Sequence, residues 1–176
     1  IYDDSFWLLN LVENLLSVTR IEDGGMKIKK QADMLEDLIE EALKHISRKS
    51  REFSIRVSME DEMQLVNVDS RLILQVIINI VDNAVKYTPL GGEIVISTKK
   101  EKSFVHVQIA DNGKGIPDED KPHIFEMFYT ANNEITDSKR SLGLGLALCK
   151  SIINAHGGKI MVYDNEPKGA IFDFTV

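Results

Sequence analysis

The segment QVIINIVDNAVKYT at residues 75–88 places polar side chains within an apolar run. Asn79 and Asn83 stand four residues apart, and Lys86 and Tyr87 follow at helical spacing, so all four share one stripe of a predicted helix. A buried amide without a partner costs about 1–3 kcal/mol, so the asparagines need partners or a cavity. Amide oxygens suit Mg²⁺ that shares phosphate oxygens, and lysine suits phosphate. The stripe indicates either a pocket for a phosphorylated ligand or amides that bind neighbouring loops, and the helix alone favours the loops.

A second polar segment, DNGKGIP at residues 111–117, directly follows a predicted strand. Asp111, at the end of that strand, is suited to accept a hydrogen bond from an exocyclic amine such as N6 of adenine. Gly113 and Gly115 would let the backbone approach a ligand closely. Asn-Gly is also a common hairpin turn, and this segment by itself favours the turn.

A third segment, SLGLGLALCKSII at residues 141–153, places Gly143 and Gly145 before a predicted helix. The free N–H groups and the positive dipole end of a helix N-terminus suit an anion such as a triphosphate. Lys139 and Arg140 lie directly upstream and add positive charge. Close helix packing through small residues explains each glycine separately, so both interpretations stay open.

Residues 125–140, FEMFYTANNEITDSKR, have the composition of a flap that closes over phosphates. Phe125 and Phe128 are the expected apolar anchor, and the polar remainder ends in basic residues. An idle surface loop would have the same composition.

Length and composition restrict the possible functions. The 176 residues predict one domain with at most a small appendage, and the net charge of −7 argues against nucleic acid as a partner. The single cysteine, Cys149, excludes a disulfide within the chain and fits a reducing cytosol. No apolar run reaches the roughly 18–20 residues that span a bilayer, so we expect a soluble chain. The first residue is not Met, from which we expect a piece of a longer protein.

Hydrophobic periodicity predicts the elements that must position these segments. The expected order is an amphipathic helix at 5–20, a strand at 26–30, a helix opened by an Asp33/Glu36 capping box and ending near Lys49, strands at 53–59 and 64–68, a helix at 70–87, paired strands at 93–99 and 104–110 joined by KKEKS, a helix at 143–155, and two final strands at 157–163 and 170–176. The apolar face of the first helix would pack either on its own domain or on a helix outside it. The order predicts an α/β sandwich of α+β character, with helices grouped on one face of a mostly antiparallel sheet.

Together and in this order, the segments resemble the catalytic ATP-binding domain of bacterial sensor histidine kinases, within the wider GHKL (Bergerat-fold) ATPases. NIVDNAVKYT is similar to the N box, DNGKGIP to the G1 box, FEMF to the F box, SLGLGLA to the G2 box, and KGAIF to the glycine-containing last strand. The resemblance covers about residues 25–176. It implies a two-layer sandwich in which three helices cover one face of a mixed, mostly antiparallel sheet.

The resemblance implies ATP and Mg²⁺ as cofactors. It implies Asn83 as the Mg²⁺ ligand, Asn79 near the phosphates, and Asp111 as the residue that recognises adenine. The other ATP-binding residues that it implies are Lys86, Tyr87, Gly113, Gly115, Ile116, Phe128, Lys139, Arg140, Ser141, Leu142, Gly143, Leu144, Gly145 and Leu146. One departure concerns the lid, because G2 boxes usually carry another glycine where Ser141 stands; its Cβ either restricts the lid or is tolerated.

The N-terminal residues 1–24 resemble the end of the second helix of the dimerisation and histidine-phosphotransfer module. The segment ENLLSVTRI is similar to the corresponding segment of potassium-responsive, KdpD-type sensor kinases. No histidine of the chain stands in the pattern of the family's phospho-acceptor motif, so we expect the acceptor outside the chain. The resemblance implies three partners, namely the protein's own dimerisation module, a second copy in a homodimer and a response regulator. It also implies the cytoplasmic domain of a membrane-anchored sensor, in contact with the membrane only through regions outside this chain.

Three other functions remain to be weighed. An ATP-hydrolysing enzyme of the gyrase, MutL or Hsp90 kind would carry a glutamate where Asn79 stands, and an amide cannot serve as that base. Asp82 is adjacent to Asn83 and is rotated from it by roughly 100° around the helix. A serine kinase of the anti-sigma type shares the boxes but lacks the upstream helix. A scaffold that binds ATP without transferring it is compatible with Ser141.

Overall fold

The computed structural model describes residues 2–25, 27–46, 52–130 and 143–176. Its elements in chain order are α1 (Tyr2–Glu22), β1 (Gln31–Met34), α2 (Leu35–His45), β2 (Ser54–Met59), β3 (Leu65–Val68), α3 (Ser70–Tyr87), β4 (Glu93–Glu101), β5 (Phe104–Asp111), α4 (Gly145–Ala155), β6 (Ile160–Asp164) and β7 (Ala170–Thr175). Among these helices, none combines the length and the apolar character needed to cross a membrane.

Five strands form the larger sheet, in the order β2-β4-β5-β7-β6. β2 and β4 are parallel and the other neighbours are antiparallel, which confirms the expected mixed, mostly antiparallel sheet. Alternation along β4 and β5 sends every second side chain to the same face. That face is buried and carries Ile94, Ile96, Val105, Val107 and Ile109.

Three helices, α2, α3 and α4, pack side by side on the buried face, with α3 in the middle. Ile73, Ile77 and Ile80 of α3 are fully buried, as are Leu148 and Ile152 of α4. Burying one such side chain stabilises the fold by roughly 1.5–3 kcal/mol. Because apolar residues hold α3 on the sheet, the polar residues of QVIINIVDNAVKYT lie along the margin of its buried face.

A separate two-stranded sheet of β1 and β3 corrects the sequence prediction near the N-terminus. The first strand lies at Gln31–Met34, not at 26–30, because it pairs with β3 and not with the larger sheet. The predicted capping box is also wrong: Met34 is the N-cap of α2 and makes no side-chain cap bond. Asp33 instead accepts hydrogen bonds from Gln31 and Ser70. Thus one neighbour in β1 and one at the start of α3 bind this carboxylate.

Two predicted boundaries also change. β4 continues to Glu101, so the hairpin to β5 turns on Lys102 and Ser103 alone and not on the five residues of KKEKS. The helix α2 ends at His45, before the predicted end near Lys49, and residues 47–51 lie outside the described residues.

A buried histidine joins the start of α3 to the end of α4. The backbone N–H of Asp69 donates to His156 Nε2 at 3.0 Å, and His156 Nδ1 donates to the carbonyl of Ile152 at 2.7 Å. Burial lowers the pKa of His156, which favours the neutral imidazole that makes both bonds. This contact fixes the relation between the two helices that carry the N-box and G2-box segments.

The first helix, α1, packs against α4. Val18 is fully buried, and Gln75 Nε2 donates to Asn14 Oδ1 at 3.3 Å. Packing on the protein's own domain is thereby confirmed for the C-terminal half of this helix. A second apolar side stays exposed and comprises Leu9, Val12 and Leu16, at 56%, 44% and 47%.

Candidate functional site

The helix α3 carries the predicted polar stripe along its margin. Asn79 and Asn83 are half-buried, whereas Lys86 and Tyr87 are exposed. The neighbouring Asp82 is also exposed. The stripe therefore runs from the packed centre of the helix layer to the protein surface.

At the inner end of the stripe, Asn79 faces the start of α4. Its Nδ2 is buried and has no hydrogen-bonded nitrogen or oxygen partner among the described residues. The side chain contacts the thiol of Cys149, which is a weak acceptor, and burial raises the pKa of that thiol to about 12. A Cβ built on Gly145 would lie 3.9 Å from Asn79 Cγ. The Asn79 amide is thus held beside the N-terminus of α4 with a donor to spare.

The N-terminus of α4 follows the predicted pattern of an anion site. Its N-cap, Leu144, is buried and makes no side-chain cap bond, and the first turn contains no acidic residue. Leu146 is half-buried and packs against the core. The first N–H groups of the helix therefore lack a side-chain acceptor within the described residues, and the positive dipole end lies next to Asn79.

At the outer end of the stripe, Asp111 ends β5 and is only 5% exposed. Its Oδ1 accepts the N–H of Gly113 at 2.8 Å and the N–H of Ala170 at 3.3 Å. Burial raises the pKa of Asp111, and the two backbone hydrogen bonds oppose that rise. Both bonds go to one carboxylate oxygen, so the other can accept a hydrogen bond from a ligand.

The G1-box segment packs tightly against the C-terminal end of α3. A Cβ on Gly113 would lie 2.6 Å from the carbonyl oxygen of Tyr87, a distance that no side chain tolerates. Gly115 has φ +76, and its Cβ would lie 3.2 Å from the carbonyl oxygen of Gly169. Ile116 is half-buried against the core. The glycines are therefore needed for packing, in addition to any role towards a ligand.

Two lysines flank Tyr87 at the mouth of the site. Lys86 Nζ lies 5.1 Å from the ring centroid, and Lys114 Nζ lies 5.7 Å from it. Both distances fall within the range of cation–π attraction. Two lysine charges therefore lie at the mouth, and they suit a phosphorylated ligand.

The predicted aromatic anchor is half correct. Phe125 packs edge-on against Phe172, with ring centroids 6.2 Å apart. Phe128 has φ +65 and is 59% exposed, so its proposed anchoring role is wrong. Its N–H donates to the carbonyl of Gly143 at 3.1 Å, and a Cβ on Gly143 would lie 2.3 Å from the carbonyl oxygen of Tyr129. Backbone contact, not the second aromatic ring, joins the two ends of the flap.

The flap itself is only partly described. At its start, the hydrogen bond from Tyr129 to Asp120 raises the pKa of the Tyr129 hydroxyl to about 12. Four predicted site residues lie outside the described residues: Lys139, Arg140, Ser141 and Leu142.

Four residues of this region were not predicted from the sequence. Lys114 lies inside DNGKGIP, where its charge was a usable signal. Thr88 reads from the sequence only as the residue before Pro89, although its hydroxyl is buried beside Asp111 and Gly113. Asn165, whose side chain binds the Asp111 carbonyl at 2.7 Å, and Cys149 have no local signal.

A divalent cation at this site would need ligands from outside the protein. In the described parts of the chain, no group of three or more His, Cys, Asp or Glu side chains is arranged to hold a metal ion. The amide oxygens on the stripe itself are neutral, such as that of Asn83. Such a donor suits Mg²⁺ that arrives with phosphate oxygens.

The fold is an α+β sandwich, a mixed sheet covered by helices, and its candidate site has a buried carboxylate and an unpartnered amide at the two ends of one helix stripe. Residues 68–176 match the family described as histidine kinase-, DNA gyrase B- and HSP90-like ATPase. The chain belongs to this family of ATP-binding domains.

Individual relatives place it among the histidine kinases. It is 44% identical to the sensor protein KdpD of Clostridium acetobutylicum over 176 residues, which are 100% of this chain and 20% of that protein. The catalytic domain of histidine kinase ThkA superposes with a TM-score of 0.74 at 32% identity, covering 84% of this chain and 95% of that domain. ThkA in complex with the response regulator TrrA superposes with a TM-score of 0.73 at 29% identity, covering 96% of this chain and 48% of that one.

The expected likeness to KdpD-type sensor kinases is thereby confirmed. The chain spans about a fifth of the length of the curated KdpD relatives that it matches.

Proposed function

We propose that the chain is the catalytic domain of a sensor histidine kinase, which binds Mg·ATP and presents the γ-phosphate to a histidine for later transfer to a response regulator. One observation carries this proposal: the α3 stripe joins a buried donor without a partner, Asn79 Nδ2, to a buried carboxylate, Asp111. One group donates hydrogen bonds and the other accepts them, and the phosphates and the adenine amine of ATP need these two opposite partners. One end of the stripe can hold phosphate and the other can read the base.

At the base end, the Asp111 carboxylate accepts a hydrogen bond from the N6 amine of adenine. Gly113 and Ala170 orient the carboxylate through their N–H groups. Gly115 and Ile116 complete the wall of the base pocket. A buried acceptor that is already fixed in place loses little conformational freedom when it binds.

At the phosphate end, several weak donors act together. The unpartnered amide of Asn79 and the N-terminus of α4, from Gly143 to Leu146, donate hydrogen bonds to phosphate oxygens. Lys86 contributes a charge, and Tyr87 lies between this lysine and the base. Lys139 and Arg140, with Ser141, Leu142 and Phe128, would belong to a flap over the phosphates.

Asn83 would hold Mg²⁺ through its amide oxygen, and the cation would neutralise charge on the β- and γ-phosphates. The other contribution of the protein is to position the nucleotide, because phosphoryl transfer needs little covalent participation by the protein. The protein fixes the nucleotide at both ends and leaves the γ-phosphate accessible to an incoming imidazole.

Hydrolysis is disfavoured as the main activity by the residue at position 79. An amide cannot take a proton from water. Asp82, the carboxylate next to Asn83, is exposed at the surface, whereas Asn79 is half-buried. A serine kinase or a scaffold without transfer activity would bind ATP in the same way, so the acceptor distinguishes them from a histidine kinase.

We further propose the arrangement of the whole protein. Residues 1–24 would be the C-terminal part of the second helix of the dimerisation and histidine-phosphotransfer module, and residues 25–176 the catalytic domain. The acceptor histidine, the homodimer contacts and a membrane anchor would lie in other regions of the protein. The catalytic domain would then work in the cytoplasm on its own dimerisation module.

Label transfer tests this function. We expect γ-labelled ATP to label a chain extended to include the complete module, on a histidine whose phosphate is stable to alkali and labile to acid. We expect no label on residues 1–176 alone. Label on the short chain, or an acid-stable phosphoserine, would contradict the proposal. Rapid steady-state ATP hydrolysis would favour the gyrase type of activity instead.

A further inference from the structure

The side chain of Thr88, directly after α3, is buried and incompletely bonded. Thr88 is 6% exposed, and its N–H donates to the carbonyl of Ala84 at 3.0 Å as the last bond of the helix. Its hydroxyl has no hydrogen-bond partner within the residues that the structure describes. Leaving a hydroxyl buried and unpaired is unfavourable, so this group is suited to a ligand or a bound water.

Neighbouring glycines define the direction of the hydroxyl. A Cβ on Gly92 would lie 2.2 Å from Thr88 Cγ2, so the methyl group is held against that turn. A Cβ on Gly113 would lie 3.2 Å from Thr88 Oγ1 and 2.9 Å from Asp111 Oδ1. The hydroxyl therefore lies on the Gly113 side, close to the carboxylate that we propose reads adenine.

Adenine presents both a donor and an acceptor on its pairing edge. The N6 amine donates, and ring nitrogen N1 accepts. An ionised carboxylate only accepts, so Asp111 can bind N6 but offers nothing to N1. A threonine hydroxyl both donates and accepts, and it can also hold a water that donates. Asp111 alone therefore recognises only N6, one of the two polar groups on the pairing edge of adenine.

We propose that the Thr88 hydroxyl is a specificity-determining group that supplies the donor for N1 of adenine, directly or through one bound water. With Asp111 it reads two adjacent positions of the purine. Guanine carries an acceptor at position 6, so Asp111 would reject it there, and the proton on its N1 removes the acceptor that the Thr88 hydroxyl would bind. The inference rests on the proposed binding of ATP and adds a residue that the sequence pattern did not indicate.

Four nucleotides and three variants test this role in the 176-residue chain. Binding is measured for Mg·ATP, for Mg·GTP, for the triphosphate of 1-deazaadenosine, in which C–H replaces N1, and for the triphosphate of purine riboside, which lacks the N6 amine. Thr88→Val keeps the shape without the hydroxyl, and Thr88→Ser keeps the hydroxyl. Thr88→Ala is the second hydroxyl-free variant should the valine variant not fold.

We expect Thr88→Val to weaken Mg·ATP binding about 10-fold, or about 1.4 kcal/mol, and Thr88→Ser to stay within about 2-fold of wild type. The 1-deaza nucleotide should bind wild type and Thr88→Val equally, because it has no acceptor to lose. The purine riboside nucleotide should show the same loss as ATP in Thr88→Val, since it retains N1. Mg·GTP should bind wild type more weakly than Mg·ATP, and Thr88→Val should narrow that difference.

Other outcomes overturn the inference. Equal losses for ATP and the 1-deaza nucleotide would show that Thr88 acts only through packing, and unchanged ATP binding in every variant would show no role. In both cases wild type still binds ATP, so the proposed function stands. A wild-type chain that binds none of the nucleotides would overturn the proposed function and this inference together.

Discussion

The two ends of the α3 stripe are built in opposite ways. At the outer end, Asp111 is buried, and Gly113 and Ala170 already occupy one of its oxygens. At the inner end, Asn79 Nδ2 is buried with its hydrogen bond unmade, and the start of α4 has no side-chain cap. At the base end the protein already orients the carboxylate and leaves the Thr88 hydroxyl without a partner among the described residues, whereas the phosphate end needs the charge and oxygens of a ligand.

This difference suits a domain that must hold a nucleotide and release a phosphate. A preformed base pocket supplies selectivity at low entropic cost. A phosphate end made of neutral amides, helix N–H groups and the charge of Lys86 would bind most tightly when phosphate and cation are both present. Binding at the base end should therefore respond to substitution more strongly than binding at the phosphate end.

The largest effect is expected for Asp111→Asn. The new amide keeps an acceptor for Gly113 and Ala170 but opposes the N6 amine with a donor, so Mg·ATP affinity should fall about 100-fold, or about 2.7 kcal/mol. Isothermal titration of the 176-residue chain measures this. Asp118→Asn removes the same charge from an exposed position and should change affinity less than about 2-fold. Similar losses in both variants would mean that charge, not base recognition, is what Asp111 contributes.

The two G2-box glycines give a matched pair at the phosphate end. Gly143→Ala places a Cβ 2.3 Å from the Tyr129 carbonyl oxygen at a φ of +66, so the free energy of unfolding should fall by about 2 kcal/mol. The Cβ of Gly145→Ala would lie 3.9 Å from Asn79 Cγ, which is an ordinary contact. This variant should therefore change the free energy of unfolding by less than about 0.5 kcal/mol. Urea denaturation of both variants gives the comparison. Equal destabilisation would show that Gly145 is as closely packed as Gly143.

A smaller effect concerns pH. Burial raises the folded-state pKa of Asp111 above its usual value of 3.8, so the folded chain holds this proton more tightly than the unfolded chain. The stability that this group contributes is present below pH 3.8 and is lost as pH rises through the folded pKa. Relative to wild type, Asp111→Asn should therefore gain stability from about pH 4 towards pH 7. Urea denaturation across that range checks the trend, and a constant difference would contradict it.

Much of the fold was predictable because each main element carries a strong local pattern. The helix at 70–87 matches α3, and the alternating runs match β4 and β5. The sequence predictions failed where a residue distant in the chain determines the local structure. Asp33 fits a capping box locally, yet its strand pairs with β3 and its carboxylate binds Ser70.

The site residues also divide into those that a local motif predicts and those that depend on distant parts of the chain. Ordered motifs located Asn79, Asn83 and Asp111, because each stands in a recognisable local segment. Phe128 was assigned an anchoring role from its apolar character, but its positive φ turns it outward to 59% exposure. The unpaired hydroxyl of Thr88 was not predictable, since its environment combines the end of α3 with a loop about 25 residues further along the chain.

Binding of a fluorescent ATP analogue with and without Mg²⁺, to wild type and to Asn83→Ala, tests the central claim most directly. An exposed asparagine on α4 provides the control Asn154→Ala. With Mg²⁺, Asn83→Ala should bind about 10-fold more weakly than wild type and the control variant; without Mg²⁺, all three should bind alike. Unchanged Mg²⁺-dependent binding in Asn83→Ala would contradict a phosphate end completed by nucleotide and cation together.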